Sequence, residues 1–211
     1  ERRTDTAQQL NQDNDVKVDV QSKTNRGSNN QKFYEAYSTY SKVGLDDPRS
    51  ASTAKIIQGI CEIVAVEGPM LARVAYERYL RSCGISRLGS ELRRIMNKAM
   101  HQAIRQGKIE AEDEWGKGGV IQQIVRIKGS PKIRIRDMGS RELFDIPPSE
   151  IIALGYSIAG HEHKINKSNE ELMRLVLDFY RIGRMGAQIR NILEKVFSLN
   201  IRHVDEYKIS Q

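Results

Sequence analysis

The sequence predicts a mainly α-helical protein with small β hairpins, arranged as tandem winged helix-turn-helix-like units after a disordered N-terminal linker. Three observations lead there. Apolar residues recur at helical spacing in three runs between residues 53 and 106, divided by Glu67-Gly68-Pro69 and by Gly84. The period then changes to two on either side of Trp115-Gly116-Lys117-Gly118-Gly119, which marks a hairpin. Finally, the sequence that opens the third helix at Arg87 returns at Arg184.

Residues 1–50 read as the linker. The stretch from Thr4 to Lys32 is rich in Gln, Asn, Asp, Ser and Thr, and it cannot bury enough apolar surface to offset its ordering entropy. The whole chain of 211 residues is 39% apolar with 13 aromatic residues (4 Phe, 1 Trp, 8 Tyr). That is material for a core of roughly 130 to 160 residues. Phe33, Tyr34, Tyr37 and Tyr40 follow the polar stretch at spacings of three to four. They read as a sticky linker end, or as one helical turn laid on a partner surface.

Residues 51–137 are expected to form a winged-helix domain. Ile56, Ile60, Ile63 and Val64 place a first helix over 53–66. Gly68 suits a left-handed C-terminal position, and Pro69 suits the first turn of a second helix over 70–82. The third helix is expected over 87–106. At about 100° per residue, Leu88, Leu92, Ile95, Met96, Ala99 and Ala103 fall on one stripe. The opposite face carries Arg87, Ser90, Arg94, Asn97, Lys98, His101 and Arg105. Strands over 108–113 and 120–127 complete the hairpin. Three helices followed by a hairpin with a basic glycine tip is the order of a winged helix. Lys132-Ile133-Arg134-Ile135-Arg136 alternates basic and apolar residues and predicts an extra strand with its charges on one face.

Residues 138–211 are expected to form a second helical, helix-turn-helix-like unit. Pro147-Pro148 opens a helix over 149–159. Ser168 and Glu171 form a capping-box signature. Met185, Ile189, Ile192, Leu193 and Val196 mark a last helix, and 201–207 a final strand. Residues 87–99 align without gaps to 184–196, with identity at Arg87/Arg184, Gly89/Gly186, Arg93/Arg190, Ile95/Ile192 and Lys98/Lys195; Ile85 also matches Ile182.

Glu67-Gly68-Pro69, Gly84-Ile85-Ser86-Arg87-Leu88-Gly89, Val125-Arg126-Ile127, Ile146-Pro147-Pro148-Ser149-Glu150-Ile151, Glu170-Glu171-Leu172 and Arg181-Ile182-Gly183-Arg184 follow one another in order. Over about residues 55–200 the chain resembles the uncharacterised domain at the C-terminal end of large bacterial superfamily-one helicase proteins. Those proteins often also carry a nuclease domain of the very-short-patch-repair type and look like genome-defence machines. The resemblance implies that helicase and nuclease chemistry lies upstream of Glu1, in a longer polypeptide to which residues 1–50 are the link. The absence of an initiator Met fits that expectation. The resemblance implies no catalytic residue here.

The charge is informative once it is divided. Residues 51–137 hold 16 basic and 9 acidic side chains, which is the entire net +7 of the chain; residues 1–50 (8 and 8) and 138–211 (10 and 10) are balanced. A clustered basic excess is a reason to consider nucleic acid; an excess of seven by itself also reads as a solvated basic face. No apolar run approaches the roughly 18 residues of a membrane span, and no signal-peptide pattern follows Glu1. Two cysteines, Cys61 and Cys83, exclude a disulfide scaffold and a four-cysteine zinc site within the chain. Both lie among apolar residues and read as reduced packing groups, which fits a cytoplasmic protein.

No catalytic set is expected. A P-loop pattern is lacking. His161-Glu162-His163 has no third ligand at useful spacing, so no metal is expected. Glu206-Tyr207-Lys208, preceded by Asp205, resembles the Glu-x-Lys of metal-dependent nucleases, but those sites need an additional acidic residue on an adjacent core strand, and this triplet at the end of the sequence reads as a frayed polar end. Nor is any cofactor expected. The expected function is a non-catalytic, nucleic-acid-binding accessory module, with duplex DNA as the first candidate and no membrane contact. Arg87, Arg94 and Arg105 would meet phosphate or guanine, and Asn97 adenine. Ser90, Lys98 and His101 share their face, Lys117 sits at the hairpin tip, and Lys132, Arg134 and Arg136 extend the basic surface. The alternative is a protein-docking or regulatory module that rests on the upstream catalytic domains without touching nucleic acid.

Overall fold

A computed structural model describes residues 34–159 and 168–199. Most of the linker, the His161-Glu162-His163 segment and the expected strand at 201–207 lie outside the described residues. The described part is mainly helical, with six α-helices and a small three-stranded antiparallel sheet.

Helix α1, Thr53–Glu67, buries Ile56, Ile60, Ile63 and Val64, the predicted stripe, and is capped by the Ser52 side chain, which accepts from the Lys55 amide. Gly68 does not take the left-handed conformation expected of it, since its φ is −72°. Glycine is needed there for space, because a Cβ would sit 2.5 Å from the Val64 carbonyl oxygen. Pro69 precedes a two-residue strand β1, Met70–Leu71, rather than opening a helix. Helix α2 then runs Ala72–Ser82 and helix α3 Ser90–Arg105, three residues later than its expected start. The predicted α3 stripe is buried at Leu92, Met96, Ala99 and Ala103.

Strand β2, Ile109–Glu112, pairs with β3, Ile124–Ile127, and β3 also pairs with β1, so the sheet order is β1-β3-β2. The first part of the expected second strand is instead a 3-10 turn, Val120–Gln122. At the hairpin tip the Asp113 carboxylate accepts the amides of Lys117 (3.2 Å) and Gly118 (2.7 Å). Gly116, Gly118 and Gly119 all take positive φ, which is why this tip is glycine-rich.

Helices α4, Pro148–Ala159, α5, Asn169–Phe179, and α6, Ala187–Ser198, follow. The capping box at Ser168 and Glu171 forms as predicted. The α2–α3 and α5–α6 turns are built alike. Ile85 donates its amide to the Leu80 carbonyl at 2.8 Å, and Ile182 donates to Leu177 at 2.8 Å. The second residue beyond each helix is left-handed, Gly84 at φ +77° and Arg181 at +56°. One buried apolar cluster runs from Ile56 of α1 to Val196 of α6, so the core continues across the boundary expected at residues 137/138.

Two further expectations are corrected. Residues 34–50, assigned to the linker on composition, form an extended strap across the domain. Glu35 donates its amide to Ile135 O (2.9 Å) and accepts from Asp137 N (3.0 Å), and Gly44 donates to Ser82 O (2.7 Å). The Tyr37 hydroxyl donates to the Glu67 carboxylate, which also accepts the Tyr40 amide at 2.8 Å. The aromatic spacing therefore reflects anchor points along an extended segment, and no helical turn forms. Residues 132–136 do not form a strand either, and their one ladder contact is the isolated bridge between Glu35 and Arg136.

Candidate nucleic-acid interface

Helix α3 presents the face that its periodicity predicts. Ser90, Arg94, Lys98, His101 and Arg105 are exposed, and Arg87 is exposed in the turn before the helix. From Arg81 to Lys108 the chain carries seven Lys or Arg side chains and a single acid, Glu91. Among the described residues none of the seven forms an ion pair. Cations elsewhere are mostly matched: Lys42 with Glu62, Arg49 with Asp47, Lys55 with Asp46, Arg78 with Glu67 and Arg126 with Glu110. Unpaired cations are thus densest on α3 and the turn that leads into it, although Lys117, Lys128, Lys132, Arg181, Arg184 and Lys195 also make no ion pair among the described residues.

Asn97 departs from its expected role. It is half-buried, and its Oδ1 is enclosed with no hydrogen-bond partner. A bidentate adenine contact needs both ends of the carboxamide at the surface, so Asn97 as placed here cannot make one.

The basic stretch after the hairpin also divides. Lys132 is exposed. Arg134 is spent within the fold, donating from Nε to Glu35 (3.0 Å) and from Nη1 to the Gly68 carbonyl (2.9 Å). Arg136 is 1% exposed. Its Nη1 donates to Glu67 O at 2.6 Å, and its Nη2 donates to Pro69 O at 2.8 Å and to the Glu150 carboxylate at 2.7 Å. Neither arginine is available to a nucleic acid. Their alternation with isoleucine imitates a strand face because both isoleucines face the core while both guanidiniums fasten the strap and α4 to the end of α1. The overlooked signals were the single acids in apolar surroundings, Glu67 after Val64-Ala65-Val66 and Glu150 between Ser149 and Ile151. A buried carboxylate requires a cation or several donors.

The hairpin tip is held down rather than free. Glu114 is buried and accepts the Ser149 amide and hydroxyl, each at 2.8 Å, at the first turn of α4. A carboxylate there satisfies helix-terminal donors and opposes the helix dipole. Trp115 is buried, with Lys117 Nζ 4.9 Å and Lys195 Nζ of α6 5.8 Å from its ring centroid. Lys117 is exposed at the tip, as predicted.

A groove of about 580 Å³ lies beside the α3 face, between α2, the α2–α3 turn, the start of α3 and the 3-10 turn. Arg81 and Arg93 line it together with Arg87. Sequence periodicity puts Arg93 off the outward face, so its place here depends on how α2 and the hairpin pack. Elsewhere Glu170 is held down to a pKa of about 2 by hydrogen bonds from Arg190 and Arg174. Burial pushes the Cys61 and Cys83 thiols up, consistent with packing roles. No helix among the described residues is long and apolar enough to cross a membrane, and no group of three or more potential metal ligands occurs among them.

A family model described as "Protein of unknown function (DUF3320)" matches residues 46–94. That segment covers the end of the strap, α1, β1, α2 and the first turns of α3. No curated protein and no solved structure matches the chain.

Proposed function

We propose that residues 51–137 are a winged-helix domain that holds duplex DNA, with α3 in the major groove. Residues 138–211 would be a second, wingless helix-turn-helix unit packed behind it. The observation that carries this reading is the run of unpaired cations from Arg81 to Lys108. On α3 they span eleven residues from Arg94 to Arg105, about 16 Å along the helix. That is comparable with a major groove about 12 Å wide. The module is non-catalytic in this reading. By the resemblance noted above, it serves helicase and nuclease domains in a longer cytoplasmic polypeptide.

A labelled duplex titrated at several salt concentrations tests the proposal. Phosphate contacts from Arg87, Arg94, Lys98 and Arg105 alone would give a log–log salt slope of about −3.6, and any further contact would steepen it. Arg94→Ala is expected to leave the melting temperature unchanged, weaken duplex binding and reduce the slope by about one. The absence of duplex binding even at low salt would refute it.

One observation favours a second reading. The hairpin tip, which in a winged helix reaches toward the nucleic acid, is fastened to α4 and α6 through Glu114 and Trp115. A docking module has no need of a free tip. Capture of upstream domains of the same polypeptide, with no duplex binding, would favour this alternative.

A further inference from the structure

We infer that the groove between α2 and α3 is a binding site for a phosphate group, received mainly by Arg93. The inference rests on a comparison within the chain. The spacing that aligns Arg87 with Arg184 also aligns Arg73 with Glu170, Glu77 with Arg174 and Arg93 with Arg190. The structure supports these equivalences. Arg73 and Glu170 are each the second residue of their helix, and Arg93 and Arg190 are each the fourth. The turns between the helices share the same hydrogen bonds. In the second unit Glu170 pairs with Arg174 one turn on at 3.1 Å, and also holds Arg190 of the next helix at 2.8 Å. In the first unit the pair is reversed: Arg73 holds Glu77 at 2.7 Å and turns its other nitrogen to Asp145. The carboxylate that occupies Arg190 therefore has a guanidinium as its counterpart beside Arg93. Arg93 makes no ion pair among the described residues.

The surroundings of Arg93 repeat the point. The groove is lined by Arg73, Arg81, Ser86, Arg87, Arg93 and Gln122. Four guanidiniums there face one acid, Glu77, already engaged by Arg73. Guanidinium forks match phosphate oxygens in planar, two-point contacts, and Ser86 and Gln122 add neutral donors. An external phosphate would thus take the position that Glu170 fills in the second unit. Its source is either a backbone phosphate of a duplex or a free phosphorylated molecule. The site stands whether or not α3 reads DNA.

Pyrophosphate titrated into the full chain, followed by calorimetry and by melting temperature, tests the site. Saturable binding with a rise in melting temperature is expected. Arg93→Gln should melt like the parent without pyrophosphate and bind it about tenfold more weakly or not at all. Arg190→Gln, at the position already filled by Glu170, should bind it as the parent does. Arg73→Glu installs the second unit's carboxylate and should abolish binding. Because it also breaks the contact with Asp145, Arg93→Gln decides the matter. No saturable binding by the parent, or equal binding by Arg93→Gln, overturns the inference. Adding duplex then identifies the source: displacement of pyrophosphate assigns the site to backbone phosphate, and simultaneous binding assigns it to a free phosphorylated molecule. Duplex and pyrophosphate affinities are read separately, so loss of duplex binding through Arg94→Ala bears on the proposed function alone.

Discussion

Replacing Glu150 with alanine probes the junction that joins the strap, α1 and α4. Glu150 is 1% exposed and accepts from the Arg136 amide (3.1 Å), Arg136 Nη2 (2.7 Å) and Arg141 Nη1 (2.9 Å). The two arginine side chains are 1% and 3% exposed. Removing the carboxylate leaves two buried guanidiniums without a counterion. Breaking a buried pair in this way typically costs about 3–5 kcal/mol. The loss is not doubled for two arginines, because Arg136 keeps the carbonyls of Glu67 and Pro69 and Arg141 keeps that of Asp137. At about 2–4 °C per kcal/mol for a chain of this size, Glu150→Ala is expected to melt about 6–20 °C below the parent by calorimetry. The triple variant Arg136→Met, Arg141→Leu, Glu150→Leu removes all three charges of this cluster together and should recover part of that loss, since apolar replacements of buried ionic groups are often neutral or better, while the carbonyls of Glu67, Pro69 and Asp137 lose their donors. If Glu150→Ala melts within 2 °C of the parent, or if the triple variant is as unstable as the single one, the account of this junction is wrong.

Other outcomes follow from the same structure. Tyr37→Phe removes a hydroxyl that donates to the buried Glu67 carboxylate. It should cost about 1–3 kcal/mol and speed tryptic cutting at Lys42 and Arg49; unchanged cutting would show that Tyr37 does not fasten the strap. Gly59→Ala places a Cβ 2.5 Å from the Tyr79 ring. A loss of about 1–3 kcal/mol is expected from overpacking, and a neutral substitution would contradict the close approach of α1 and α2. The Glu170 carboxyl is held to about 2 against an ordinary 4.5, chiefly by Arg190. A depressed carboxyl contributes its stability above the unfolded value and loses it as pH falls toward the folded one. Its contribution should therefore vanish between about pH 4.5 and 2, and Arg190→Ala should raise the carboxyl midpoint seen by NMR.

Legibility from sequence tracked how local the cause was. The α3 stripe was legible because a 16-residue helix with one buried face repeats its constraint every turn. The capping box was legible because two side chains three apart suffice to make it. Strand β1 was not, since two residues become a strand only by meeting Val125 and Ile124 across the sheet. The strap was hidden for a related reason. Its composition is polar, and its order comes from distant partners, Glu67 and the backbone at 135–137. Arg134 and Arg136 were misplaced because alternation fixes which residues point the same way and leaves open whether that side meets water or a carboxylate. In the candidate site the outward cations of α3 were readable. The groove was not, because Arg93 becomes part of it only when α2 and the hairpin close around the start of α3.

The distribution of paired and unpaired charge bears on why the α2–α3 and α5–α6 segments differ. Unpaired surface cations cost little individually in water, but seven within 28 residues repel one another and add nothing to folding. Most of the other described arginines are paired, Arg181 and Arg184 excepted, so acids were to hand. Glu110 and Glu112 lie on β2, the strand that directly follows α3, yet both are engaged by Arg126. At the equivalent place near α5, a Glu in place of Arg engages Arg190 at 2.8 Å, with Glu194 a second acid at 3.8 Å. The same single exchange at Arg73 would have neutralised Arg93. Folding does not require the first unit to stay open, because the second unit forms the same turn with its arginine paired. Packing therefore gives no reason for the unneutralised charge, and the duplex proposed above would supply one.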